Sequence, residues 1–159
     1  MTTVTTHSLT VRKRRGAYKL EGGRAALKTG VSMRRGEITT ESGQWQVDIT
    51  DFHRMGVVAR AGERPVVRLH PRGSQVPGAG VPAQWRLGRN SGVLTRGASR
   101  IAVRQGGWPG SGIRVEVTGP WAELDLVVLT ACFAILTRRR KRTFTIMAIA
   151  GATGHGGVG

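Results

Sequence analysis

The sequence predicts a mainly β protein with one buried hydrophobic helix near the C-terminal end, and three observations lead to this prediction. Between residues 7 and 118 apolar side chains alternate with polar ones, which is typical of half-buried strands. Glycine is abundant, at 24 of 159 residues, and Gly-containing turn signals separate the alternating segments. Residues 124–137 then form the most hydrophobic stretch of the chain, and cations follow it immediately.

The alternating segments predict roughly eight to ten short strands, at the spacing of a meander, a sandwich or a barrel. No segment of this region carries a sustained helical period. The apolar positions expected to share one face of their strands are Trp45, Val47 and Ile49, Val67 and Leu69, Trp85 and Leu87, Ile101 and Val103, and Ile113, Val115 and Val117. The turn signals are Gly22-Gly23, Gly62-Glu63, Pro77 to Gly80, Asn90 to Gly92, and Gly106 to Gly110.

The helix is predicted at about residues 121–137. Pro120 suits its first position, where a missing N–H costs nothing. Glu123 and Asp125 in the first turns and five cations at the far end both complement the helix dipole. The segment is apolar on every side, so either protein or lipid must enclose it.

Length favours enclosure by protein. Residues 124–137 rise about 21 Å as an α-helix, whereas a bilayer core needs about 30 Å. A start at Trp121 would place Glu123 and Asp125 in the membrane, at a cost of several kcal/mol. The alternative is a single-pass or tail-anchored membrane protein that uses residues 121–137.

The chain resembles the tubby-like superfamily, and within it the LURP-one-related and phospholipid-scramblase branch. The likeness rests on Ile113-Arg-Val-Glu-Val-Thr-Gly-Pro-Trp121 as last strand and turn, and on Leu124 to Thr137 as the helix. Upstream strand–Gly-turn–strand units and single tryptophans on separate strands add to it. The resemblance implies a closed or nearly closed antiparallel β-barrel that encloses the helix. The chain is short for that family's twelve strands, so we expect some strands to be abbreviated or absent.

The sequence patterns, together with the resemblance, set the expected domain organisation. Residues 1–6 form a flexible N-terminus and residues 7–142 one barrel domain. Residues 143–159 add a short apolar run and a Gly-rich tail that is disordered at its end. The basic positions with which family members bind phosphoinositides have no match here, so lipid binding does not carry over residue by residue.

The net charge of +16 makes anionic partners the main candidates. Two dense clusters, with Arg34-Arg35 as a minor third, are candidate anion-binding residues: Arg12, Lys13, Arg14 and Arg15, and Arg138, Arg139, Arg140, Lys141 and Arg142. Cations beside an apolar segment can engage acidic lipid, and the same cations can bind nucleic-acid phosphates. A third interpretation is a solvated surface around the end of the helix. Scarce aromatics and the absence of a recognition helix disfavour nucleic acid.

No pattern of catalytic, cofactor-binding or metal-ligating residues is present in the sequence. His7, His53, His70 and His155 lie far apart, and Asp48 and Asp51 suit a turn near a strand end. The lone cysteine, Cys132, falls in the apolar segment, where an inert buried thiol is expected. We therefore expect a binding or scaffold module without enzymatic activity, in the cytoplasm or peripheral at the inner membrane face, and alternatively a nucleic-acid-binding protein.

Overall fold

The computed structural model describes residues 5–30, 34–51, 56–78, 81–107 and 112–138. Eleven strands in these ranges form one antiparallel sheet, and one helix, α1, covers residues 124–138. In chain order the strands are β1 Thr6–Arg14, β2 Ala17–Leu20, β3 Ala26–Thr29, β4 Arg35–Thr40, β5 Gly43–Asp51, β6 Gly56–Ala61, β7 Arg64–Leu69, β8 Gln84–Leu87, β9 Ser91–Arg96, β10 Ser99–Gln105 and β11 Ile113–Thr118.

The sheet is a nearly closed barrel, so the predicted fold class is confirmed. Its strand order is β7-β6-β5-β4-β3-β2-β1-β11-β10-β9-β8, which places the first and last strands side by side and leaves β7 and β8 at the two edges. A short segment spans the remaining gap: Gln75 pairs with Arg68 of β7, and Ser74 pairs with Ala83 just before β8. This bridge covers edges that would otherwise be open to pairing.

The predicted alternation is clearest in β11, whereas Gly56 to Ala59 of β6 are buried in succession. Ile113, Val115 and Val117 are buried, whereas Arg114 and Glu116 are exposed. The structure contains eleven described strands rather than eight to ten. Strands β2 and β3, of four residues each, add to the predicted number. Strand β1 begins at Thr6, which pairs with Thr118, one residue earlier than the predicted domain.

Protein encloses α1 on every side. Every residue from 126 to 137 is buried, and the apolar ones belong to the same core cluster as the inward residues of the strands. Twelve consecutive residues cover more than three turns, so no face of this helix remains for lipid or water. Within the described residues, no helix is both long and apolar enough to cross a membrane.

The helix begins later than the sequence suggests. Glu123 has a φ of 52°, in the left-handed region, so Pro120 lies in the preceding turn and not at the first helical position. The Glu123 carbonyl accepts the first helical hydrogen bond, from the Val127 N–H at 3.1 Å. Leu124 is accordingly half-buried, while the other six large apolar residues expected to fill the barrel are buried: Leu126, Val127, Val128, Leu129, Ile135 and Leu136.

Two buried threonines do not disturb this apolar helix. The Thr130 hydroxyl donates to the Leu126 carbonyl at 2.7 Å, and the Thr137 hydroxyl donates to the Phe133 carbonyl. Both bonds reach back one turn along the same helix, so each hydroxyl is satisfied without a partner in the barrel wall.

An arginine fixes the closing segment at the end of the barrel where α1 begins. The Arg96 guanidinium lies 4.9 Å from the centroid of the Trp121 ring, and its Nη1 donates to the Pro77 carbonyl at 2.9 Å. Trp121 is itself anchored, because its Nε1 donates to the Thr118 carbonyl at 3.1 Å. These contacts connect the segment between β7 and β8 to the residues that lead into the helix.

Introducing a charge inside the barrel should unfold the domain. Leu129 is fully buried, and Leu129→Asp would place an unpaired carboxylate in the core. This should lower the free energy of unfolding by more than about 4 kcal/mol. We expect circular dichroism to show no cooperative thermal transition. The exposed turn variant Ala98→Asp should melt like the parent protein, and an unchanged melting temperature for Leu129→Asp would contradict the enclosed helix.

Gly92 should be irreplaceable because the Trp85 indole packs against it. A Cβ on Gly92 would lie 2.7 Å from Trp85 Cζ2 and closer still to Cη2. Trp85 is buried, so the ring has little room to move, and Gly92→Ala should destabilise the fold by about 1–3 kcal/mol. Urea titration would measure this. Gly107→Ala, whose Cβ meets nothing within 4 Å, is the matched control, and equal stabilities of the two variants would refute the explanation.

Candidate anion-binding surface

The antiparallel topology sorts the connections to two ends of the barrel. At one end β1, β3, β5, β7, β8 and β10 finish, and β2, β4, β6, β9 and β11 begin. We call this the cationic end. The basic side chains at or next to this end include Arg12, Lys13, Arg14, Arg15, Arg34, Arg35, Arg72, Arg89 and Arg138.

Parts of the two predicted clusters therefore meet at one end of the molecule. Strand β1 delivers Arg12 to Arg15 to this end, and α1 finishes there, where Arg138 Nη1 donates to the Leu87 carbonyl at 3.4 Å. Helix C-termini favour such cations because the dipole is negative there. Arg139, Arg140, Lys141 and Arg142 lie outside the described residues, as do the predicted apolar run and tail.

Arg15 occupies a strained position at the tip of the β1–β2 hairpin. Arg14 pairs with Ala17, so Arg15 and Gly16 form a two-residue turn, with φ values of 51° and 82°. Two positive φ angles define the type I′ turn, which favours Asn or Asp before Gly. An arginine there costs roughly 1–2 kcal/mol, and its exposed side chain projects from the end of the barrel.

Other cations of this end have defined contacts. Arg12 Nε lies 2.8 Å from Glu21 Oε1, and Lys13 Nζ lies 5.8 Å from the centroid of the Tyr18 ring. Arg35 Nε lies 3.5 Å from Asp48 Oδ1. The two ion pairs neutralise part of the charge, whereas Arg14 and Arg15 form no ion pair with any described residue.

His70 and Asp51 also lie at this end, a contact that the sequence analysis missed because 19 residues separate them. His70 Nε2 is 3.5 Å from Asp51 Oδ2, and Nδ1 accepts the Arg72 N–H at 3.0 Å. Ser74 Oγ bonds only to the backbone of His70, accepting its N–H at 3.0 Å and donating to its carbonyl at 3.1 Å. Both ring nitrogens of His70 are therefore engaged, and the Ser74 hydroxyl bonds to the His70 backbone instead of the ring. These hydrogen bonds fix the turn after β7.

A group of acidic residues lies at the opposite end of the barrel, where α1 begins. They are Glu41 in the β4–β5 turn, Glu63 in the β6–β7 turn, and Glu123 and Asp125 at the start of α1. The pKa of Asp125 is raised by burial and, to a smaller extent, by the neighbouring negative charges of Glu41 and Glu123. The barrel is therefore electrically polar along its axis, and the cationic end faces away from this acidic cluster.

The described residues outside these two ends offer little reactive chemistry. Cys132 is fully buried in α1, and this burial raises the pKa of its thiol. Across the described ranges, no three His, Cys, Asp or Glu side chains converge closely enough to hold a metal ion. No family model, curated protein or solved structure matches this chain.

Asp125 predicts a pH dependence of stability. Its pKa is higher in the fold than in the unfolded chain, so the ionised carboxylate weakens the fold at neutral pH and protonation removes the penalty. We expect Asp125→Asn to raise the melting temperature at pH 7, and this gain to vanish as the pH falls to about 4, the ordinary Asp pKa. Glu63→Gln, an exposed acid at the same end, serves as control. A lower melting temperature of Asp125→Asn at pH 7 would contradict the prediction. It would mean that the helix dipole stabilises the Asp125 carboxylate by more than burial destabilises it.

Proposed function

We propose that this protein is a non-enzymatic binding module whose cationic end associates with anionic membrane lipids. The observation that carries the proposal is the meeting of Arg12 to Arg15 with Arg138 at one end of the barrel. Each cation held near an acidic membrane contributes about 1 kcal/mol, so a cluster of this size is sufficient for peripheral binding.

The strained position of Arg15 supports this proposal. Residues keep unfavourable backbone conformations where function requires them, and Asn or Gly at this position would relieve the strain. The hairpin tip is also the part of β1 and β2 that extends furthest from the barrel, where a membrane surface could contact it.

The sequence after the helix favours lipid over nucleic acid. From Arg138 the chain continues with four further cations and then with TFTIMAIAGA, an apolar run. A basic cluster next to an apolar segment is typical of peripheral membrane proteins. Binding of a single-stranded nucleic acid would require exposed aromatic side chains on which bases can stack. Among the described residues of the cationic end the only aromatic rings are those of Tyr18 and His70. Tyr18 is half-buried beside Lys13, and both ring nitrogens of His70 are engaged.

The proposal also keeps the resemblance to the tubby-like superfamily as a hypothesis. A barrel with an enclosed helix is what that resemblance implies, and the LURP-one-related and phospholipid-scramblase branch would fit a role at the inner membrane face. The cytoplasm is the compartment that we propose, with a peripheral position on that face.

Vesicle binding tests the proposal. The variant Arg14→Gln/Arg15→Asn should bind vesicles of phosphatidylglycerol and phosphatidylcholine roughly 30-fold more weakly, since two cations contribute about 2 kcal/mol. Its stability should not fall, because Asn suits the left-handed turn position. Cosedimentation measures the affinity and thermal unfolding the stability.

The control removes the same charge from the other end of the barrel. Arg24→Gln/Arg64→Gln changes two exposed arginines there and should leave vesicle affinity nearly unchanged. Equal losses in the two variants would mean that net charge alone drives binding and would contradict a specific cationic end. Retention on DNA at near-physiological salt, with no binding to acidic vesicles, would favour a nucleic-acid-binding protein instead.

A further inference from the structure

A second group of arginines lies on the outer wall of the barrel, on β9, β10 and β11. Arg89, Arg100, Arg104 and Arg114 line a groove there, and all four are exposed. We call it the arginine groove. Arg89 lies in the β8–β9 turn, where the groove meets the cationic end.

The strand register sets the spacing of these side chains. Arg104 lies directly opposite Arg114, which places their Cβ atoms about 5 Å apart on the same face. Arg100 is four residues from Arg104 along β10, or about 13 Å. Between them Ala102 faces outward, so a short side chain separates the two basic positions.

The groove lacks counter-ions. Like charges directly opposite each other destabilise a sheet, yet within the described residues none of the four arginines forms an ion pair. Glu116 is the acid nearest in register, opposite Ala102, and it is not paired with any of them. An anion bound between Arg104 and Arg114 would relieve this repulsion.

A second groove on the wall provides an internal comparison. Strands β3 to β6 place Lys28, Arg34, Arg35 and Arg60 around it, but Glu37 and Asp48 line it as well. Glu37 lies opposite Lys28, and Asp48 pairs with Arg35. The sheet therefore places two carboxylates among the four cations of this groove, one of them in an ion pair, whereas Glu116 is the acid beside the arginine groove and forms no ion pair with its arginines.

We propose that the arginine groove binds a ligand with at least two phosphate groups. Guanidinium groups bind phosphate oxygens through paired, charge-assisted hydrogen bonds, and Arg104 with Arg114 can hold one phosphate from two sides. Arg100, about 13 Å from Arg104 along β10, is placed to engage a second phosphate of the same ligand. The groove adjoins the cationic end, because Arg114 lies opposite Thr10, two residues from Arg12 along β1. Its ligand goes beyond the proposed function.

Calorimetric titration with sodium tripolyphosphate at constant ionic strength tests the proposal. We expect binding to the parent protein, with orthophosphate much weaker because it cannot span the groove. Arg104→Gln/Arg114→Gln should weaken tripolyphosphate binding by roughly tenfold or more for each arginine removed. Lys28→Gln/Arg60→Gln, which removes the same charge from the second groove, should bind as the parent does.

Further arms identify the source of the phosphates and separate this proposal from the previous one. Competition by phosphatidate vesicles, and not by phosphatidylglycerol vesicles, would assign a lipid headgroup; no competition by either would assign a soluble oligophosphate. The proposal would be overturned if Arg104→Gln/Arg114→Gln and Lys28→Gln/Arg60→Gln lost tripolyphosphate affinity equally. It would also be overturned if the parent protein bound orthophosphate as tightly as tripolyphosphate. If only Arg14→Gln/Arg15→Asn lost tripolyphosphate binding, the proposal for the arginine groove would be overturned. The proposal that the cationic end binds membranes would still stand.

Discussion

The need to fill a closed barrel with apolar side chains is the constraint on which the rest of this structure depends. Eleven described strands turn their apolar faces inward, and an empty interior of that size would leave those faces without partners. Helix α1 supplies the partners, and residues 126–137 are buried around its full circumference. The helix also explains the closing segment, because Arg96 connects Pro77 to Trp121 at the point where the chain turns into the barrel.

A threaded helix gives the barrel two chemically different ends. Because the helix dipole is positive at the start of α1, acids are tolerated there, although burial still raises the pKa of Asp125. Because the dipole is negative at the other end, Arg138 is favoured, and β1 delivers Arg14 and Arg15 to the same side. Each strand reverses direction, so connections rich in one type of charge collect at one end even when they are far apart in sequence.

The sequence predicted what depends on local pattern and missed what depends on register or distant contacts. Ile113, Val115 and Val117 and the uniformly apolar helix are local patterns, and both predictions are confirmed. The start of the helix was misplaced because Glu123 adopts a left-handed conformation that residue type does not reveal. The arginine groove was missed because Arg100 and Arg104 are isolated cations on β10 and Arg114 is another on β11, and only the pairing of these two strands brings Arg104 and Arg114 together.

The occupied interior also limits where this protein can bind a partner. Barrels that hold small ligands keep an open lumen, whereas here Phe133, Leu129 and their neighbours occupy that space, and Cys132 is buried among them. Recognition therefore falls to the outer surface. On that surface two features lower stability without serving the core, the left-handed Arg15 and the opposed Arg104–Arg114 pair. A fold already stabilised by a large apolar interior can tolerate both, and each presents a guanidinium group to an anionic partner.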